Sequence, residues 1–478
     1  VAKMRELGIR FYRVDVSREE IEKGAGVWDF SRFDERAREI LHFAPDGYLT
    51  LSVRLEMPKW LAGHPEAWIG YANGETDSGT GDERIARLRR PSAASPEYRA
   101  EAYRFLRAFG DYVRSRPWGR RVVAVRPCWG IYTEWHTYGF YEGPDVGPAM
   151  TAAFRRWKGG LYANENPPTM AERTHGATLL DPSADRKVLD YYDCMANEVS
   201  DFLIGCCRVV KEAFPGRLAG AYYGYLFAVH PPEGATAMLE KVLSAPEVDF
   251  LSDPAMYSPE SRRAGGSYYH RTVTETFHRY GKLSIIEDDM RFHHIRDWTE
   301  KAITTETPRE SRMTMRRNYL NRLFDGAGMQ INDPMSDTFG KRPHAYDDPD
   351  VLAGMREAME VVGKIGVQPV DSGNEVALVV DPLDRLRRSV KPRPGFTVPR
   401  YFSALEFAYR TGVAFDMLTE DDLAAGRTYR HVVRIGDFEG REIPYSVEGW
   451  RAEFDRRGIR ALAPANNYVR RHGNLILF

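Results

Sequence analysis

The chain has 478 residues, of which 43% are hydrophobic and 28% charged, and its 67 Lys and Arg nearly balance 68 Asp and Glu for a net charge of −1. A near-neutral chain carries no field to draw a phosphate backbone or an anionic membrane surface, so nucleic acid and membranes are poor candidates as partners and small neutral ligands are better ones. Aromatic residues reach 12%, with 26 Tyr and 9 Trp, a composition that suits a pocket stacking on flat apolar faces such as sugar rings.

No uninterrupted apolar run approaches the roughly 18 residues that a membrane span needs. The four cysteines, Cys128, Cys194, Cys206 and Cys207, are too few and too badly spaced for a disulfide framework or a CxxC zinc site, and they read as buried thiols. That low count favours the cytoplasm. The first residue is Val1, and Val1 to Leu7 reads as the tail of an amphipathic helix, so an upstream segment is expected, with a signal peptide still open.

Strand-like apolar runs then alternate with helical patterns, the mark of βαβ units on a parallel sheet. The strands are Ile9 to Val16, Tyr48 to Leu55, Val122 to Ile131, Leu218 to Phe227, Val248 to Leu251, Leu283 to Ile286 and Gly328 to Ile331. Helical patterns at Pro96 to Arg114, Arg186 to Phe214, Gly234 to Ser244 and Arg309 to Phe324 separate them. That makes seven, whereas a closed parallel barrel needs eight. The expectation is a (β/α)8 TIM barrel over residues 1–366 whose first strand precedes Val1. Past a Pro/Gly/Asp/Ser/Asn stretch at Gln368 to Asn374 the composition changes, and residues 373–478 read as a smaller α/β domain. Its elements are a strand (Glu375 to Val380), a basic loop (Arg385 to Pro399), a helix (Tyr401 to Gly412), strands at Ala414 to Leu418 and His431 to Ile435, a helix (Val447 to Arg457) and a strand (Ile459 to Leu462).

In a parallel barrel the active site gathers at the C-terminal ends of the strands. Two carboxylates stand there. Glu134 follows the third strand of the run in Trp129-Gly-Ile-Tyr-Thr-Glu-Trp-His136, and Glu287 closes the sixth in Lys282-Leu-Ser-Ile-Ile-Glu287. Such a pair suits glycosidic bond cleavage, in which one carboxyl protonates the leaving oxygen while the other attacks the anomeric carbon or activates water. Taken singly, either residue would more often be a surface or ion-paired glutamate.

With the missing strand restored, these carboxylates lie on strands four and seven, an arrangement that resembles the clan A glycoside hydrolases. Gly8-Ile-Arg-Phe-Tyr-Arg13, Gly26-Val-Trp-Asp-Phe-Ser-Arg-Phe-Asp34 and Met57-Pro-Lys-Trp-Leu61 are similar in kind and order to the opening of the family 42 β-galactosidases and their relatives. Asp145 to Trp157, Ala245 to Phe250 and Gly281 to Arg291 extend the resemblance over most of the barrel. The resemblance implies a retaining double displacement with Glu134 as acid/base and Glu287 as nucleophile, no metal or organic cofactor, and a carbohydrate substrate. It also implies that residues 373–478 form a flavodoxin-like or amidotransferase-like domain that helps build a homo-oligomer, a trimer in the family.

The resemblance places Arg13 at a strand end beside the nucleophile and Tyr257 as a donor to it, with Trp60 and Trp135 as sugar-stacking walls. The clan has Asn before the acid/base, and this chain has Thr133. That departure leaves room for a β-mannosidase or another β-glycosidase, with Arg54, Glu56, His136 or Asp333 as substitutes for the lost contact. Arg291 completes the expected substrate-binding set. Two readings of other classes compete. Glu287, Asp288, Asp289, His293, His294 and Asp297 could serve a metal-dependent barrel hydrolase, and the barrel could be a non-catalytic carbohydrate-binding scaffold.

Overall fold

The computed structural model describes residues 1–74, 90–140, 142–174, 180–224, 232–256, 258–266, 268, 271–333, 343–365, 373–380, 408–425 and 428–434, and short pieces at 452, 455–456, 458, 470–472 and 475–477. Among them the chain falls into two compact units, the first running to Leu251 and the second starting at Ser252.

The first unit opens its sheet with β1 (Phe11–Ser17), where Tyr12, Val14 and Val16 are buried and the alternate residues are not. This period-two pattern fixes which face meets the core. β1 pairs in parallel with β2 (Tyr48–Arg54), β2 with β3 (Val122–Cys128), and β3 with β4 (Leu218–Tyr222). A bond from Asp249 N to Ala219 O leads into β5 (Phe250–Pro254), whose first two residues belong to this unit.

Parallel neighbours require crossovers, and helices supply them. The helix Pro96–Arg114 starts under a Ser95 cap that accepts from Tyr98 N, carries Pro at its first position, and buries Tyr98, Ala102, Phe105, Leu106, Phe109 and Val113 at helical spacing. Each such large side chain contributes roughly 1.5–3 kcal/mol on burial. Gly110 lets this helix close on Arg186–Ala213, since a Cβ there would stand 2.6 Å from the Ala213 Cβ.

The second unit holds the end of β5, then β6 (Leu283–Asp288) and β7 (Gly328–Ile331), which pair in parallel from Ile285↔Gly328 to Asp288↔Ile331. The crossover helix Pro308–Phe324 begins in a capping box between Thr307 and Glu310 and packs on the helix Pro349–Ile365. Further on, β8 (Val376–Val380) lies between β9 (Asp416–Thr419) and β10 (His431–Arg434) in a three-stranded parallel sheet. The helix Thr274–Arg279 covers the outer edge of β9: Met417 N donates to Glu275 Oε2 (3.1 Å), Thr419 N donates to Thr276 Oγ1 (3.2 Å), and Arg279 pairs with Asp422. An exposed edge is thereby closed to further pairing.

The seven strands expected before residue 366 are therefore present. β3 stops at Cys128, three residues short of its expected end at Ile131, and the Gly234 to Ser244 helix is regular only over Leu239–Ser244. All four cysteines are buried and free, and burial pushes the Cys128 and Cys194 thiols up to about 12, which makes them inert packing groups. The expected boundary at 366–372, the basic loop from Arg385, most of the Tyr401 to Gly412 helix and the last expected helix and strand lie outside the described residues. Among the described residues, no helix is long and apolar enough to cross a membrane.

Candidate active site

Glu134 sits on a tight turn just beyond β3. Ile131 and His136 form an isolated antiparallel bridge, with Ile131 N donating to His136 O at 2.9 Å, while Thr133 N and Glu134 N donate to Gly130 O and Ile131 O. Closing so short a turn forces left-handed backbone at Tyr132 (φ 55°), Thr133 (φ 67°) and Trp135 (φ 60°). None is glycine, and such angles cost on the order of 1–3 kcal/mol each, a strain that concentrates at functional sites. The result lifts Glu134 to a half-buried position, its Oε2 3.9 Å from Nε2 of the fully buried His136. Trp135 anchors the turn: its indole is 0% exposed, donates Nε1–H to Pro127 O at 3.0 Å and packs on Trp129 and Phe202. It is a core residue, so the expectation that it walls a sugar site is corrected.

Glu287 stands at the end of β6 in the second unit, 8% exposed. Both carboxylate oxygens accept from neutral amides carried by β7 and the residue after it. Gln330 Nε2 donates to Oε2 at 2.8 Å, and Asn332 Nδ2 donates to Oε1 at 3.3 Å. Its backbone carbonyl accepts from Ala255 N at 2.7 Å. The two amides fix both oxygens in space, which is what a nucleophilic carboxylate requires. Nearby in the same unit, burial above all pushes Asp253 up to about 7, with the Glu287 charge adding to the rise and Arg322 and Arg271 opposing it.

Glu56, just past β2, is gripped by Ser17 Oγ (3.1 Å) and Arg18 N (2.8 Å). Burial nevertheless pushes it up to about 7, against the Arg54 charge and those donors. Trp60, 37% exposed, keeps a free face beyond its edge contact with His64. Thr133 is half-buried, one residue before Glu134.

Arg13 requires a second correction. It lies in the middle of β1, not at its end, and its guanidinium makes paired bonds to Asp15 (3.0 and 3.2 Å) and one to Tyr222 (3.2 Å). Residues two apart on a strand share a face, so Asp15 takes up the charge locally. Asp333 accepts from His344 Nδ1 (2.9 Å) and Ala345 N (3.2 Å). Arg291 bridges to Thr304 and lies 3.9 Å from Asp289. Tyr257 falls outside the described residues.

The four carboxylates of the cluster weighed for a metal-dependent hydrolase each turn to other partners. Asp289 pairs with the buried Arg262, Asp288 accepts from Asn318 Nδ2 and Met290 N, Asp297 is exposed beside Lys301, and Glu287 is held by its two amides. Gln330, Asn332 and Asp253 were missed in the sequence. Only Asp253, an acid at a strand end, left a signal there. Tyr132, 61% exposed beside Glu134, is a further aromatic facing solvent that sequence reasoning passed over.

No protein-family model matches the chain, and no curated protein matches it either. Solved structures do. A β-galactosidase from the psychrophilic Marinomonas ef1 aligns with TM-score 0.60 and 17% identity over 96% of this chain and 71% of its own. The β-galactosidase of the haloarchaeon Halorubrum lacusprofundi gives 0.61 and 15% over 91% and 65%, and a GH42 β-galactosidase from G. stearothermophilus 0.56 and 14% over 90% and 64%. The chain thus spans about two thirds of the length of these relatives. At these identities the likeness is one of fold, and it is the fold that the strand order anticipated: the seven parallel strands with their helices fit the (β/α)8 barrel of these structures.

Proposed function

We propose that the protein is a retaining β-glycoside hydrolase with Glu287 as nucleophile and Glu134 as acid/base. The observation that carries this reading is the Glu287 carboxylate, set at a strand end with an amide donor on each oxygen. In the first step Glu287 attacks the anomeric carbon while Glu134 gives its proton to the departing glycosidic oxygen, forming a glycosyl-enzyme ester. In the second, Glu134 takes a proton from water, the hydroxide displaces Glu287, and the sugar leaves with its original anomeric configuration. Glu134, raised on its turn with its side chain 17% exposed, keeps the contact with water that a group reloaded in every cycle needs.

The substrate is a β-galactoside or a closely related β-glycoside, in line with the activity of the structural neighbours. Thr133 in place of an asparagine moves the preference at the 2-hydroxyl, so a β-mannoside is the specific alternative. Residues 373–478 serve oligomer formation in this reading. A panel of aryl β-D-glycosides (galactoside, mannoside, glucoside, fucoside, arabinoside) tests it: one or two should be turned over, and Glu134→Ala should form a β-glycosyl azide when azide is supplied. Hydrolysis of none, or full activity in Glu134→Ala, would overturn the proposal.

A further inference from the structure

Two histidines of the second unit that take no part in the proposed reaction are arranged around one carboxylate. His293 and His294 open the 3-10 turn His293–Trp298 shortly after β6, and Asp348 precedes the helix Pro349–Ile365. His293 Nε2 lies 3.6 Å and His294 Nδ1 3.9 Å from Asp348 Oδ2, and the three atoms fall within 4.8 Å of one another. Such separations are too long for hydrogen bonds. They approach the edge of a tetrahedron, roughly 3.3–3.4 Å, around an ion whose ligands stand about 2.0–2.1 Å away.

The far side of each group is already engaged. His293 Nδ1 is 2.8 Å from Ser311 Oγ, and that hydroxyl can pass its own proton to Thr305 Oγ1 at 2.7 Å. His294 Nε2 is 2.9 Å from the carbonyl of His344, which can only accept, so the ring proton resides on Nε2. The neutral ring then has a lone pair on Nδ1, and this atom is buried without a hydrogen-bond partner. Asp348 turns Oδ1 to the backbone N–H groups of Asp350 (2.9 Å) and Val351 (3.2 Å), leaving Oδ2 for the histidines. Outer hydrogen bonds that fix the tautomer and rotation of each ligand are the usual support of a protein metal site.

We propose that His293 Nε2, His294 Nδ1 and Asp348 Oδ2 bind a borderline divalent cation of the zinc class, with water in a fourth position. Two imidazoles and one carboxylate suit Zn²⁺ and disfavour Mg²⁺ and Ca²⁺, which take oxygen ligands. The ion ties the turn after β6 to the start of the helix Pro349–Ile365, a structural role that goes beyond the glycosidase reading and does not depend on it.

The test uses the full chain freed of metal by chelator dialysis. Calorimetric titration with ZnCl₂ should give one site per chain and a higher melting temperature, and Co²⁺ should show the intense visible bands of tetrahedral coordination. His293→Gln and Asp348→Asn should each weaken Zn²⁺ binding by about 100-fold or more, and Ser311→Ala by about 10-fold, in the range expected for an outer partner. Asn keeps the helix cap at 348, so Asp348→Asn separates lost metal from lost fold, with far-UV circular dichroism as the check. Absence of Zn²⁺ binding by the metal-free chain would overturn the proposal, as would binding left intact in both His293→Gln and Asp348→Asn.

Discussion

The two carboxylates sit in opposite kinds of surroundings. Glu134 stands on a turn held by three non-glycine residues in left-handed backbone, half-buried, its nearest imidazole nitrogen 3.9 Å away. Glu287 stands at the end of a regular strand, almost buried, with an amide on each oxygen. The difference follows the chemistry proposed for each. A group that gives and retakes a proton needs solvent and some freedom, whereas an attacking carboxylate gains from donors that hold it charged and in place. The cost is also divided: the turn carries backbone strain, and the strand end carries the desolvation of a charge met by neutral donors.

The largest break in this contrast comes from Glu287→Gln, which keeps shape but removes the attacking charge. Turnover of an aryl β-glycoside should fall by roughly 10⁴-fold or more, measured as kcat under saturating substrate. Glu134→Ala should be selective where Glu287→Gln is not, with losses of about 10² to 10⁴-fold on poor leaving groups and little on activated ones, read from a leaving-group series. Removing the amide grip in Asn332→Ala or Gln330→Ala should cost about 10-fold in kcat/KM, because the attacking oxygens lose a donor that holds them in position. An unchanged kcat/KM would mean the amides only pack. The smallest effect is on the turn: Thr133→Asn, a residue that tolerates left-handed backbone, should raise stability by about 1 kcal/mol in urea denaturation.

Glu56 adds a pH signature outside the contrast. Its folded pKa is raised to about 7, so its stabilising contribution is complete below the unfolded value near 4.3 and is lost as pH climbs through 7. Glu56→Gln should flatten stability between those limits, and a slope unchanged from that of the parent chain would argue that Glu56 is not protonated there.

The strands were legible because apolar runs of strand length alternate with helical periodicity, and the two glutamates became candidates because a parallel barrel dictates which strand ends matter. The amides Gln330 and Asn332 were not, since a neutral side chain carries no titratable signal and its partner lies 43 and 45 positions away in the chain. Trp60 and Trp135 read alike in sequence, yet one keeps an open face and the other is sealed behind the strand it donates to. Whether an indole stacks on a ligand depends on packing from distant helices. Arg13 was misplaced for a more local reason: the Asp15 partner two residues along the strand was present in the sequence and already offered a same-face pair.

The most direct test of the central claim is the anomeric configuration of the first product released from an aryl β-D-glycoside, followed by proton NMR before mutarotation. Attack by Glu287 predicts that the β-anomer appears first. Initial release of the α-anomer would show a single displacement by water and would contradict the assignment of Glu287 as nucleophile.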